Sequence, residues 1–95
     1  MQARVATYTG PSETLDQLVR GVDRLRPELQ RLGGFRGAFV LVDRDSGRAM
    51  TVTLWADEQA AEDSAESANR MRRKAALASG QTIEGVDTYE VAVQI

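Results

Sequence analysis

Apolar and polar positions change rhythm along this chain, and the changes mark out its elements. Residues 3–9 (ARVATYT) are β-leaning and end at Gly10-Pro11, which predicts a first strand. Strand phase puts Arg4, Ala6 and Tyr8 on one face and Val5, Thr7 and Thr9 on the other. Leu15, Leu18, Val19, Val22, Leu25, Leu29 and Leu32 then recur at intervals of three and four, one stripe of a helix over roughly 12–32. Ser12 or Thr14 is placed to cap it, Thr14 with Gln17 as a capping box, and Gly33-Gly34 supplies its stop. Pro27 lacks an N–H and crowds the carbonyl of Asp23, so a break is expected near Arg26 with the leucine stripe running on beyond it.

From Phe35 the period becomes two. Phe35, Gly37, Phe39 and Leu41 alternate with Arg36, Ala38, Val40 and Val42; both faces are largely apolar, as in a strand covered on both sides. Asp43-Arg44-Asp45-Ser46-Gly47 is turn chemistry, and residues 48–55 return as a strand with Met50, Val52 and Leu54 opposed to Ala49, Thr51, Thr53 and Trp55. Asp57 is a good N-cap and Gly80 a good stop for a second helix. Its acidic residues come first and its basic ones (Arg70, Arg72, Arg73, Lys74) later, an order that suits the helix dipole. The stripe it offers the core is small: Ala61, Ala65, Ala68, Met71 or Arg72, and Ala75. After a polar connection over 81–87, residues 88–95 are expected to form a last strand, Tyr89, Val91, Val93 and Ile95 on one face.

The order β-α-β-β-α-β is the ferredoxin-like α+β arrangement: a four-stranded antiparallel sheet with both helices on one face, in a single domain over 1–95. Its other face would be bare, yet the strands carry apolar residues on both sides. A homodimer joined through the helix-free sheet face follows.

Composition narrows the chemistry. There is no histidine, which removes the commonest metal ligand and the usual general base near neutral pH, and no cysteine, which removes thiolate chemistry. No metal site and no cofactor are expected. A net charge of −2 without a basic run gives no footprint for nucleic acid, and no apolar run approaches the ~20 residues of a membrane helix. The opening segment has no signal-peptide apolar region, so the expected location is cytoplasmic. Glu90, alternating with apolar neighbours, is the one carboxylate with a chance of partial burial. Arg4 and Arg36 read as interface or rim residues, and the basic cluster of the second helix as a solvated end.

Gly-Phe-x-Gly at 34–37, the acidic hairpin turn, Thr-Leu-Trp at 53–55, Asp-Glu-Gln-Ala at 57–60 and the closing Val-Asp-Thr-Tyr-Glu-Val-Ala at 86–92 resemble the dimeric α/β-barrel superfamily, and within it the antibiotic-biosynthesis-monooxygenase group. The resemblance implies a pocket between helices and sheet, used in active members to oxidise polycyclic aromatics without a cofactor or to bind and degrade haem. Trp55, the only tryptophan, matches the family tryptophan. The asparagine that cofactor-free oxygenases place four residues earlier is Thr51 here, and their aromatic six residues later is Ala61. Haem-degrading members need an asparagine near Ala3 and a helix histidine; both are absent, so haem ligation of that type is not expected. The implied function is a small cofactor-independent monooxygenase-like protein acting on an aromatic small molecule. The alternative is a non-catalytic ligand-binding or accessory dimer of the same fold. Candidate ligand-binding side chains are Trp55, Tyr8, Phe39 and Asn69; Trp55 reads first as a core plug or a pocket wall without chemistry, Tyr8 serves equally well as core, and Asn69 reads first as a solvated helix residue.

Overall fold

A computed structural model describes residues 1–95. Strands β1 (Gln2–Thr9), β2 (Phe35–Asp43), β3 (Arg48–Trp55) and β4 (Thr82–Glu90) form one antiparallel sheet in the order β2-β3-β1-β4. Helices α1 (Leu15–Arg24), α2 (Arg26–Arg31) and α3 (Glu58–Ser79) complete the ferredoxin-like α+β fold, α1 and α2 being the two halves of the broken first helix.

The break has the expected cause. Pro27 falls in the first turn of α2, where a missing N–H costs nothing, and Leu25 is the hinge between the halves. The stripe survives it: Leu15, Leu18, Leu25 and Leu29 are buried in one cluster with Ala6, Tyr8, Ala49, Met71 and Ala75. The expected cap does not form. Thr14 Oγ1 donates to the carbonyl of Pro11 at 2.9 Å inside a 3₁₀ turn (Ser12–Thr14), and no side chain caps α1. Asp57 does cap α3, accepting from the Ala60 amide at 2.8 Å, and Gly80 ends it in the left-handed region. The last turn of α3 carries no basic residue, so Arg70 to Lys74 lie too early to meet the helix C-terminus. Its buried positions are Ala61, Ser64, Ala68, Met71, Ala75, Ala76 and Ser79, small enough for close approach to the sheet.

Two departures are found in the sheet, the first from a bulge, which a strict period of two cannot anticipate. Phe35 pairs with Trp55 and Gly37 with Leu54, so the register slips by one at Arg36, where Gly37 takes a positive φ of 151°. Phe35 consequently joins Ala38, Val40 and Val42 on the helix side, while Gly37, Phe39 and Leu41 stay on the helix-free side with Met50, Val52 and Leu54. The last strand lies earlier than its apolar alternation suggests. Residues 82–90 pair with β1, with a slip opposite Thr7/Tyr8, and 91–95 form no regular structure. Glu90, paired with Gln2 at this edge, is exposed; the expected partial burial is not found.

The helix-free face is open in the single chain. Phe39, Leu41 and Tyr89 are 57%, 50% and 56% exposed, which makes this an apolar patch of the kind that marks an interface.

Candidate functional site

The layer between helices and sheet is built on the inward phase of β1. Arg4, Ala6 and Tyr8 all point into it, and all three are buried. Arg4 is therefore no rim residue. Only 6% exposed, it lies 5.3 Å from the centre of the Trp55 ring, and its guanidinium donates to the Ala61 carbonyl and, at 3.5 Å, to Ser64 Oγ. No carboxylate pairs with it: the ion pairs of the chain are Arg26–Asp23, Arg44–Asp16 and Arg48–Asp43, all at the surface. Burial pushes the Arg4 guanidinium down from its ordinary value, and the charge of Arg72 adds to that.

Arg72 reaches the same layer from α3, one turn after Ala68 and three residues before Ala75. It is half-buried, donates to Asn69 Oδ1 at 2.6 Å, and faces the Tyr8 hydroxyl. Burial lowers its pKa, while Tyr8 acts in the opposite direction. The Tyr8 hydroxyl shares a hydrogen bond of 3.2 Å with Thr51 Oγ1. Burial pushes its phenol up, with Thr51 and Arg72 partly offsetting the rise.

These groups line a cavity of about 50 Å3 whose apolar walls include Val22, Leu25, Leu29 and Met71. A cleft of about 420 Å3 adjoins it between α1, α2 and β2, with Val19, Val22, Leu29, Phe35, Ala38 and Val40 as its apolar lining. Val22 and Leu29 line both. The cleft can take a ring; the cavity, less than two waters' share of volume at roughly 30 Å3 each, can take a polar substituent.

The four candidate ligand residues separate. Tyr8 lines the cavity. Trp55 is fully enclosed: it meets Phe35 edge-on with 5.6 Å between ring centres, and its indole N–H donates to Thr53 Oγ1 at 3.0 Å. It supports the site through Arg4 and lines neither space. Phe39 lies on the opposite, helix-free face, and Asn69 is exposed on α3, where it holds Arg72. Arg4, Arg72 and Thr51 belong to the cavity without having been singled out for it. Their signal was present in part, since Arg4 shares a strand face with Ala6 and Tyr8, and Arg72 falls within the small-residue stripe.

The Tyr8 environment makes a prediction. An unfolded tyrosine loses its proton near pH 10; the folded chain holds its Tyr8 proton to higher pH. Stability is thus complete below about pH 10 and falls as pH rises through the folded pKa of Tyr8. Urea midpoints between pH 9 and pH 11 should fall less steeply in Tyr8→Phe, which also loses roughly 1 kcal/mol from the Thr51 hydrogen bond at neutral pH. Equal slopes in the two proteins would refute the assignment.

No protein-family model matches the chain. An uncharacterised protein of Mycobacterium tuberculosis, found in strains CDC 1551 and H37Rv, is 34% identical over 91 residues, covering 95% of this chain and 40% of that protein. The chain thus spans well under half the length of the curated relatives it matches. Among solved structures, SnoaB, a cofactor-independent oxygenase from Streptomyces nogalater, superposes with a TM-score of 0.71 at 17% identity, covering 99% of this chain and 95% of SnoaB. The haem degrader MhuD of Mycobacterium tuberculosis, solved with two haems in its active site, superposes with a TM-score of 0.70 at 17% identity, over 100% and 99% of the chains.

Proposed function

Starting from a chain with the fold of the antibiotic-biosynthesis-monooxygenase proteins of the dimeric α/β-barrel superfamily, we propose that it is a homodimeric, cytoplasmic, cofactor-independent monooxygenase-like protein that takes an aromatic small molecule between its helices and its sheet. The observation that carries this reading is the pairing of spaces: a cleft of about 420 Å3, apolar at its Val19, Val22, Leu29, Phe35, Ala38 and Val40 wall, beside a cavity of about 50 Å3 whose polar groups are Arg4, Arg72 and the hydroxyls of Tyr8, Thr51 and Thr53, with Val22 and Leu29 common to both. The ring lies against Val22 and Leu29, which line both spaces, with its oxygen turned toward Tyr8 and Thr51. Two hydroxyls and a guanidinium orient such an oxygen by hydrogen bonds. Without a cofactor the electrons for O2 must come from the substrate, so the fitting class is an electron-rich hydroxyaromatic such as a quinol or an anthrone. An anthrone supplies the carbon that takes one oxygen atom and the hydrogens that leave with the other as water.

The dimer is part of the proposal. Two copies meeting through their helix-free faces cover Phe39, Leu41 and Tyr89, and the helices are left outside.

A non-catalytic binder of the same fold is the second reading. It is favoured by Thr51 and Ala61 at the positions where the resembled oxygenases carry asparagine and an aromatic, and by the enclosure of Trp55. Oxygen uptake with anthrone and with a naphthoquinol separates the two. The oxygenase reading expects stoichiometric O2 consumption above the buffer rate, reduced at least about tenfold in Thr51→Val, which removes a hydrogen-bond donor from the cavity. Binding of the same compounds with no uptake would leave the binder alone standing.

A further inference from the structure

We propose that the small cavity is a carboxylate-recognition site, so that the molecule held between helices and sheet is an organic acid. The inference rests on the same pocket as the function proposed above, and on a feature that reading does not need: two guanidiniums, Arg4 and Arg72, line one cavity with no carboxylate paired to either.

A buried cation costs free energy unless an anion or a full set of hydrogen bonds compensates it, and a second cation nearby adds to the cost. Arg4 is partly compensated, by the Ala61 carbonyl, by Ser64 and by the Trp55 ring. Those contacts also describe a tie between β1 and α3, and alone they would make Arg4 structural. Arg72 has no such duty. It donates to the exposed Asn69 and faces the Tyr8 hydroxyl, turning into the cavity instead of into solvent with Arg70, Arg73 and Lys74. The two charges repel across the same space. A bound anion converts that repulsion into two attractions.

Size and shape select the anion. About 50 Å3 admits a group of a few heavy atoms. Guanidinium is a planar fork matched to a planar two-oxygen acceptor, and the Tyr8–Thr51 hydroxyl pair, joined by one hydrogen bond, has one further proton to donate into the cavity. The apolar cleft beyond Val22 and Leu29 takes the body of the acid.

The test uses benzoate, acetate and benzyl alcohol, titrated at low ionic strength into the purified protein. It is followed by amide chemical shifts and by Trp55 emission, which responds to changes at the neighbouring Arg4. Expected are saturable binding of benzoate, competition by acetate, and benzyl alcohol at least about tenfold weaker, the scale of a lost charge-assisted hydrogen bond. Arg72→Gln should weaken benzoate about tenfold or more and leave benzyl alcohol within about twofold, and Arg72→Lys should restore part of the preference. Arg72 is half-buried, and unchanged shifts elsewhere in the variant establish that it folds. Benzyl alcohol binding as well as benzoate, or Arg72→Gln leaving their ratio unchanged, overturns the carboxylate site while leaving the aromatic pocket intact. Acetate binding as tightly as benzoate, with benzyl alcohol much weaker than both, upholds it and argues against an aromatic pocket. No binding of any of the three overturns both.

Discussion

Trp55→Ala should cost about 3–5 kcal/mol, the range for truncating an enclosed large aromatic. That is a large share of the roughly 5–15 kcal/mol a domain of this kind has in total. The size of the effect follows from what the ring joins. Trp55 ends β3, pairs with the first residue of β2, packs edge-on against Phe35 and carries Arg4 over its face. Directly after it the Ala56 amide donates to the Gly34 carbonyl at 2.7 Å, tying the entry of α3 to the turn before β2. Gly34 has a φ of +77°, and a Cβ there would run into the Ala60 side chain, so this corner has little freedom to close over a vacated ring. Truncation would leave a cavity and an Arg4 guanidinium without its aromatic partner. Urea unfolding checks the prediction, with Trp55→Phe expected to lose clearly less. A loss under about 1 kcal/mol for the alanine variant would mean that the indole is not the keystone of this corner.

The second large effect is on assembly. Phe39→Asp places a charge on the helix-free face, where Phe39 and Leu41 stand among Met50, Val52 and Leu54. In a twofold dimer each substitution counts twice. An interface aromatic worth about 2 kcal/mol per copy therefore raises the dissociation constant on the order of a thousandfold. Light scattering at micromolar concentration should find a dimer for the parent protein and a monomer for Phe39→Asp. An Asp substitution at exposed Leu77 of α3, away from the sheet, should leave the dimer intact. A monomeric parent protein, or a Phe39→Asp variant that stays dimeric, would contradict the proposed interface.

Much of the fold was legible because the signals were local and redundant. The leucine stripe crossed the Pro27 break, Gly47 closed the hairpin with its amide on the Asp43 carbonyl, and Asp57 and Gly80 bracketed α3. What escaped was set by pairing between strands and not by pattern along one. The bulge at Arg36 reverses the face of Phe35 against its neighbours, and nothing in an alternation marks where it slips. Strand β4 takes its register from β1. As an edge strand it needs few apolar residues, so 82–87 pair along β1, while the apolar tail 91–95 adds only the Val91 amide on the Met1 carbonyl at 2.9 Å. The pocket was half legible. Tyr8 followed from strand phase, whereas burial of Arg4 and Arg72 contradicts the ordinary fate of arginine, and residue type is a poor guide to where a charge is kept. Asn69 and Phe39 failed to meet Tyr8 for simpler reasons, one facing solvent and the other lying across the sheet.

Whether the space between helices and sheet takes a ligand is decided most directly by amide shift mapping during titration with 1-naphthol, a neutral hydroxyaromatic of suitable size. The predicted result is saturable shifts concentrated at Val22, Leu29, Val40, Tyr8 and Thr51, which line the cleft and the cavity. Shifts confined to Phe39, Val52 and Leu54 on the helix-free face, or none at saturating ligand, would contradict it.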